Sequence, residues 1–174
     1  MTSRVLLLGP VLWMLAMGPA AAAQAEAPKG ASGLPVPRFV SLKAERVNVR
    51  SGPTKDNDVS WVYTRSGLPV EIIAEYDNWR RIRDWEGGEG WVLHSLLSGR
   101  RTALILAPAK AVDDFVPLHA SADTTSAVTA RLQAGVLAVV KRCSETWCRI
   151  TGEGFDGWIE EDRLWGVYPG EKVD

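Results

Sequence analysis

Two histidines, two cysteines and a short acidic run are the residues of this 174-residue chain whose types could carry catalysis or hold a metal. A nucleophilic hydrolase needs a Cys or Ser held beside a His and an orienting group. His94 follows a Gly-Trp-Val segment and His119 sits in a Val-Pro-Leu-His segment; the two occupy different positions of the internal repeat set out below. They read as surface or turn histidines, not as a catalytic pair. Cys143 and Cys148 bracket Ser-Glu-Thr-Trp in an expected hairpin. Two Cys without clustered His or further Cys do not make a zinc site, and in an exported protein an even count favours a disulfide over a free, redox-active or metal-bound thiol. The run Glu160, Glu161, Asp162 lacks the spaced oxygen ligands of a calcium loop and reads as a solvated turn. Residues 86–90, Glu-Gly-Gly-Glu-Gly, carry no Gly-Lys-Ser/Thr ending and so form no phosphate cradle. The expectation is a chain with no catalytic residue, no metal and no cofactor.

Aromatic residues offer binding chemistry instead. Of eight tryptophans, Trp79, Trp91, Trp147 and Trp158 recur at matched positions of the repeat, so structural packing is their first reading. Trp61, Tyr63 and Trp85 have no aromatic counterpart in the second half, which carries Thr129, Arg131 and the 152–154 loop in those regions. Residues particular to one copy are demanded less by a shared fold than matched ones, and aromatics are enriched in binding sites, so ligand contact stands for these three beside ordinary packing or exposure.

The elements that must position these residues come from the repeat. Trp79 follows Gly67 by twelve residues, and Trp147 follows Gly135 by the same interval. Beyond them Trp-Arg-Arg-Ile (79–82) lies over Trp-Cys-Arg-Ile (147–150), and Gly-Trp-Val (90–92) over Gly-Trp-Ile (157–159), with a one-residue length change between. That order of glycine and tryptophan marks two copies of one unit. Counted from the same glycines, Cys143 and Cys148 fall where copy one has Glu75 and Arg80. Side chains tied by a disulfide in one copy and paired by charge in the other must face each other across two strands. Within each copy, short alternating runs are separated by turn residues every ten or so positions, which indicates strands in a small barrel or sandwich.

Arg4, the apolar run from Val5 to Gly18 and the alanines of 20–25 form the pattern of a secretory signal peptide, with cleavage before Gln24 or before Glu26; a retained membrane anchor is the alternative, against which the uninterrupted apolar stretch falls short of the roughly 20 residues that span a bilayer. Removing 1–23 leaves 19 basic against 21 acidic residues, a net charge of −2, which gives no reason to expect nucleic acid. No other stretch is long and apolar enough to span a bilayer. Residues 24–38, rich in Ala, Gly and Pro, read as a flexible leader. The junction between copies is placed in 107–110, with 104–106 assignable to the end of copy one or shared with copy two.

Taken together, residues 47–53 (Val-Asn-Val-Arg-Ser-Gly-Pro), 78–82, 90–92 and 95–102 resemble a bacterial Src-homology-3-like domain. The resemblance extends less closely over 111–167, where 116–122 departs from the Asn-Val-Arg-Ser-Gly-Pro pattern and marks a degenerate copy. It implies an all-β chain of two tandem, strongly bent small barrels of five to six strands each, over 39–107 and 108–174. It also implies a periplasmic binding or targeting module, non-catalytic, for peptidoglycan, its peptide stems or an extracytoplasmic protein. A partner that recruits or regulates a cell-wall hydrolase is the alternative, and a small hydrolase is the reading from a different class. The expected ligand face is a groove in copy one lined by Trp61, Tyr63 and Trp85, with Arg50 or Arg83 reaching acidic groups, since arginine recognises carboxylates bidentately.

Overall fold

The computed structural model describes residues 28–106 and 115–174, so the signal sequence and the 107–110 junction lie outside the described residues. Runs of β-branched and aromatic residues, broken by Gly, Asp and Asn, make short strands and tight turns. In the first half these are β1 (Arg38–Leu42), β2 (Val47–Arg50), β3 (Val59–Tyr63), β4 (Pro69–Tyr76), β5 (Trp79–Arg83), β6 (Glu89–Leu93) and β7 (Leu97–Ser98). They pair in the order β3-β2-β6-β5-β4-β1-β7. The second half supplies β8 (Thr102–Ile105), β9 (Phe115–His119), β10 (Val128–Gln133), β11 (Leu137–Ser144), β12 (Trp147–Gly152), β13 (Phe155–Glu160) and β14 (Leu164–Trp165). Their order, β10-β9-β13-β12-β11-β8-β14, is the same path. The repeat in the sequence is therefore a repeat of the fold. Each sheet has seven strands where the resemblance implied five to six, because the two-residue β7 and β14 count as strands.

Two physical requirements explain the spacing that the sequence displayed. Gly67 and Gly135 sit at φ +78° and +80°, in the left-handed region that glycine enters without a Cβ penalty, and each closes a turn onto the first strand of its sheet. The register of β4 on β5 shifts between Ile72 and Ala74, and that of β11 on β12 between Val140 and Arg142. A bulge at the same repeat position bends both long strands, as closing a small sheet around one core requires. The first core gathers Leu42, Val47, Val49, Val70, Ile72, Ile82 and Val92; the second gathers Val116, Leu118, Ala138, Val140, Ile150, Ile159 and the two cysteines.

The boundary at 107/108 needs correction. β8 pairs with β11 and β14, so it is the first strand of the second barrel, and the barrels meet at 99–101. The apolar run of β8 hid this because the strand is buried on both faces. Ala103 and Ile105 enter the second core, while Leu104 enters the first, joined there by Leu137 and Trp165, its neighbours across the sheet. Thr102 adds a hydrogen bond from its hydroxyl to the Gly67 carbonyl at 2.7 Å.

The leader is also corrected over the residues described. From residue 28 the chain folds back on itself, with Val36 N–H donating to Pro28 O at 2.9 Å and Gly30 N–H to Leu34 O at 2.8 Å. Ser32 donates its N–H and its hydroxyl to the Glu75 carboxylate at 2.7 and 2.8 Å. A carboxylate in a site that leaves its side chain 1% exposed must find donors, and the leader provides two of them. Glu75 also pairs with Arg38 at 2.7 Å and with Arg80, its partner across β4 and β5, at 3.1 Å. In the second barrel the equivalent pair, Cys143 and Cys148, is bonded as a disulfide.

Candidate functional site

Four of the five expected ligand residues come together, Trp61, Tyr63 and Trp85 through their rings and Arg83 beside Trp85. Trp61 and Tyr63 alternate along β3 on the face opposed to Val49 and Val47, and their rings meet edge to face with centroids 6.2 Å apart. The Tyr63 ring lies 6.3 Å from that of Trp85. The centre of this ladder is core: Tyr63 is 7% exposed, and its hydroxyl donates to Asp84 Oδ2 at 2.6 Å. Burial pushes the Tyr63 hydroxyl far above the ordinary tyrosine range, with the bond to Asp84 adding to the effect, so it stays a neutral donor. Trp61 and Trp85, half-buried, are the members that a ligand can reach.

Asp84 builds the loop that presents Trp85. Its Oδ1 accepts the N–H groups of Glu86 and Gly88 at 3.0 and 2.7 Å, and its own N–H donates to Gly88 O at 3.0 Å. Gly87 takes φ +84°, and a Cβ on Gly88 would press on the Asp84 carboxylate. Copy two has the buried Leu132 at the register position of Tyr63 and Gly152 for Asp84, so the unit of tyrosine hydroxyl, aspartate and displayed tryptophan is an addition to the common fold. Tyr63→Phe is expected to cost about 1.5 kcal/mol, because it leaves the buried Asp84 short of a donor. Urea denaturation monitored by circular dichroism measures that loss, and an unchanged midpoint would mean that water replaces the hydroxyl.

Trp85 opens onto a cleft of about 470 Å³ where the barrels meet, lined also by Phe39, Glu71, Arg83, Trp165 and Tyr168. Phe39 packs against Trp165 at 5.2 Å and Tyr168 at 4.6 Å, so aromatic surface continues from one barrel into the other. Arg83 donates through Nε and a terminal nitrogen to Glu71 Oε2 at 3.0 and 2.6 Å, and Tyr168 donates to Glu71 Oε1 at 2.8 Å. Arg83 thus reaches the cleft already neutralised by a carboxylate of its own chain, with its side chain 43% exposed. Glu71, Asp84 and Glu86 against Arg83 make the cleft acidic on balance. Arg50 is not part of it: its side chain lines a separate pocket with Trp79, and one terminal nitrogen donates to Asn57 O at 2.6 Å.

Phe39, Glu71, Asp84, Trp165 and Tyr168 were not among the expected site residues. Tyr168 and Trp165 lie at the end of copy two, and nothing in their local pattern assigns them to copy one's surface. The histidines stay apart in the fold. His94 is exposed, on a turn after β6, whereas His119 is buried rather than at the surface, edge-on to Trp147 at 5.5 Å with Nδ1 3.3 Å from Ser126 O. His119 is the last residue of β9, paired with Val128 on one side and Trp158 on the other, and that pairing across strands is what covers it. Among the described residues no group of three or more His, Cys, Asp or Glu stands ready for a metal ion.

The bacterial SH3 domain profile matches residues 43–99 and 112–166, one copy on each sheet. The chain belongs to the bacterial SH3 domain family. Both bacterial SH3 domains start, in the structure, one strand earlier than the matched segments, at β1 and β8. Two solved structures, of NlpC2 and NlpC1 from Trichomonas vaginalis, are similar at 13% identity each, with TM-scores of 0.33 and 0.32. They align over 75% and 78% of this chain and 48% of theirs, so the chain spans about half the length of those proteins. No curated relative matches it.

Proposed function

We propose that this protein is exported and non-catalytic, and that its tandem bacterial SH3 domains bind a cell-wall component, peptidoglycan or its peptide stems, through the first barrel. Bacterial SH3 domains generally bind cell-wall components or protein partners, and the N-terminal signal pattern supports export to the compartment where such material is found. The observation that carries the reading is the aromatic path from Trp61 past Trp85 into the cleft with Phe39, Trp165 and Tyr168. Such surfaces supply contact area at low entropic cost, while the acidic balance of the cleft, with Glu86 exposed in its lining, favours a ligand that brings hydrogen-bond donors: sugar hydroxyls, amides or amines. The non-catalytic part rests on the separation of the histidines, one exposed on the first barrel and one buried in the second.

Cosedimentation of the protein with purified sacculi tests the reading. Wild type is expected in the pellet, and the Trp61→Ala/Trp85→Ala double variant should bind at least tenfold more weakly, since truncating central aromatic anchors costs upwards of about 2 kcal/mol. A folded double variant that pellets as well as wild type would remove the cleft from the account. Failure of wild type to pellet would turn the proposal towards an extracytoplasmic protein as ligand.

A further inference from the structure

The first barrel has a second concavity that shares no lining residue with the aromatic cleft. It is a pocket of about 230 Å³ in which Arg46, Arg50 and Lys55 meet Trp79, Leu93 and Leu96. No carboxylate lines it, and among the described residues none of the three cations is ion-paired. In a chain with 20 basic and 21 acidic residues, such a cluster is not a by-product of excess basic charge. Three like charges side by side repel, and an anion from outside relieves them.

The second barrel separates what the fold needs here from what the first barrel adds. Arg50 and His119 are equivalent, each opposed to the Gly-Trp tryptophan of its sheet, and both reach the same carbonyl across the following loop, Asn57 O in one copy and Ser126 O in the other. The tether is common to the fold; the positive charge is not. Arg46 and Lys55 stand where copy two has Phe115 and Thr124, and Leu93 and Leu96 where it has Glu160 and Arg163. Only Trp79 is retained, as Trp147. One bond to Asn57 fixes the Arg50 guanidinium and leaves most of its five N–H donors for a ligand.

We infer that this pocket binds the free C-terminal carboxylate of a peptide ending in a small aliphatic residue. The cations and the planar guanidinium match a carboxylate, and Trp79 with the two leucines matches a short apolar side chain beside it. The volume lies below the roughly 300 to 1,000 Å³ of sites that enclose drug-sized ligands, so it admits one residue end-on. The inference stands on residues separate from the cleft and does not depend on it.

An NMR titration of the protein with N-acetyl-Ala-Ala, its C-terminal amide and inorganic phosphate tests it. The free acid is expected to shift the Trp79 indole and Arg50 side-chain signals, with the amide and phosphate at least tenfold weaker. Arg46→Gln/Lys55→Gln, at two exposed positions where folding is not at stake, should weaken the acid about tenfold, while Trp61→Ala/Trp85→Ala should leave it unchanged. Equal binding of acid and amide overturns the carboxylate assignment. Phosphate binding as tightly as the acid reduces the site to a general anion patch, and no shift at millimolar acid removes it. Loss of sacculus binding in the tryptophan variant with acid binding intact separates the fate of the cleft from that of this pocket.

Discussion

Replacing Glu75 by alanine is expected to destabilise the protein by about 4 kcal/mol, the range for removing one partner of a buried ion pair. Glu75 sits between Arg38 and Arg80, whose side chains are 18% and 11% exposed, so the variant strands two guanidinium groups with little access to water. It also frees the Ser32 N–H and hydroxyl, which are what join the folded-back leader to β4. Acid has a related effect. Burial raises the Glu75 carboxyl, but the bonds from Ser32 and Arg38 and the charge of Arg80 outweigh it and hold the group at about 2 against an ordinary value of 4.5. The unfolded chain therefore takes up this proton first, and stability present above pH 4.5 drains away as the pH falls towards 2. Glu171, held down against its own burial by Arg101, loses its contribution on the acid side in the same sense. Urea denaturation of wild type and Glu75→Ala between pH 7 and pH 2.5 should show curves that converge in acid. A gap that persists at pH 2.5, or a variant within 1 kcal/mol of wild type at pH 7, contradicts this account. Protection of the amides of residues 30, 33 and 36 from hydrogen exchange should fall in the variant, reporting the leader separately from the barrel.

How much of this was legible depended on the range of the interaction. Turn glycines, strand pairs and the facing of Cys143 with Cys148 are set within some fifteen residues and recur, so comparing the copies exposes them. The aromatic trio was found by the opposite test, as what one copy has and the other lacks. Tyr63, however, turned out to be anchored inward by Asp84, since a sequence shows that an aromatic is special to a copy but not which way its hydroxyl points. The contacts that complete the cleft link residues far apart in the chain: Tyr168 with Glu71, and Trp165 with Phe39. No local period encodes them. The same holds for β8, where an unbroken apolar run conceals that Leu104 and its neighbours serve different cores. Arg50 was mislaid for a simpler reason: alternation along β2 puts it with Arg46 and Asn48 on the face opposite to Val47 and Val49, away from Trp61 and Tyr63.

Converting Cys143 and Cys148 to alanine together should cost about 3 kcal/mol, roughly 2 from restoring chain freedom to the short closed loop and the rest from lost packing of two buried sulfurs. The comparison with copy one explains why this barrel carries the covalent version. Both slots are roofed by chain from outside the repeat: the leader lies over Glu75, and the C-terminal residues lie over the disulfide hairpin, with Cys143 N–H donating to Val173 O at 2.9 Å and Val173 N–H returning to Cys143 O at 3.3 Å. In the first barrel the charged pair meets a polar roof, Ser32, and is satisfied by it. In the second the roof is Val173, 8% exposed and part of the core, which offers a carboxylate nothing but its backbone; a buried disulfide needs no partners there. The two chemistries are therefore not interchangeable. Placing Glu at 143 and Arg at 148 should leave the protein less stable than the double-alanine variant, because it buries charge under a valine. Thermal unfolding by calorimetry ranks the three forms, with wild type first, double alanine second and the charged pair last. A charged-pair variant as stable as wild type would show that the slot alone, and not its roof, determines which bond it accepts.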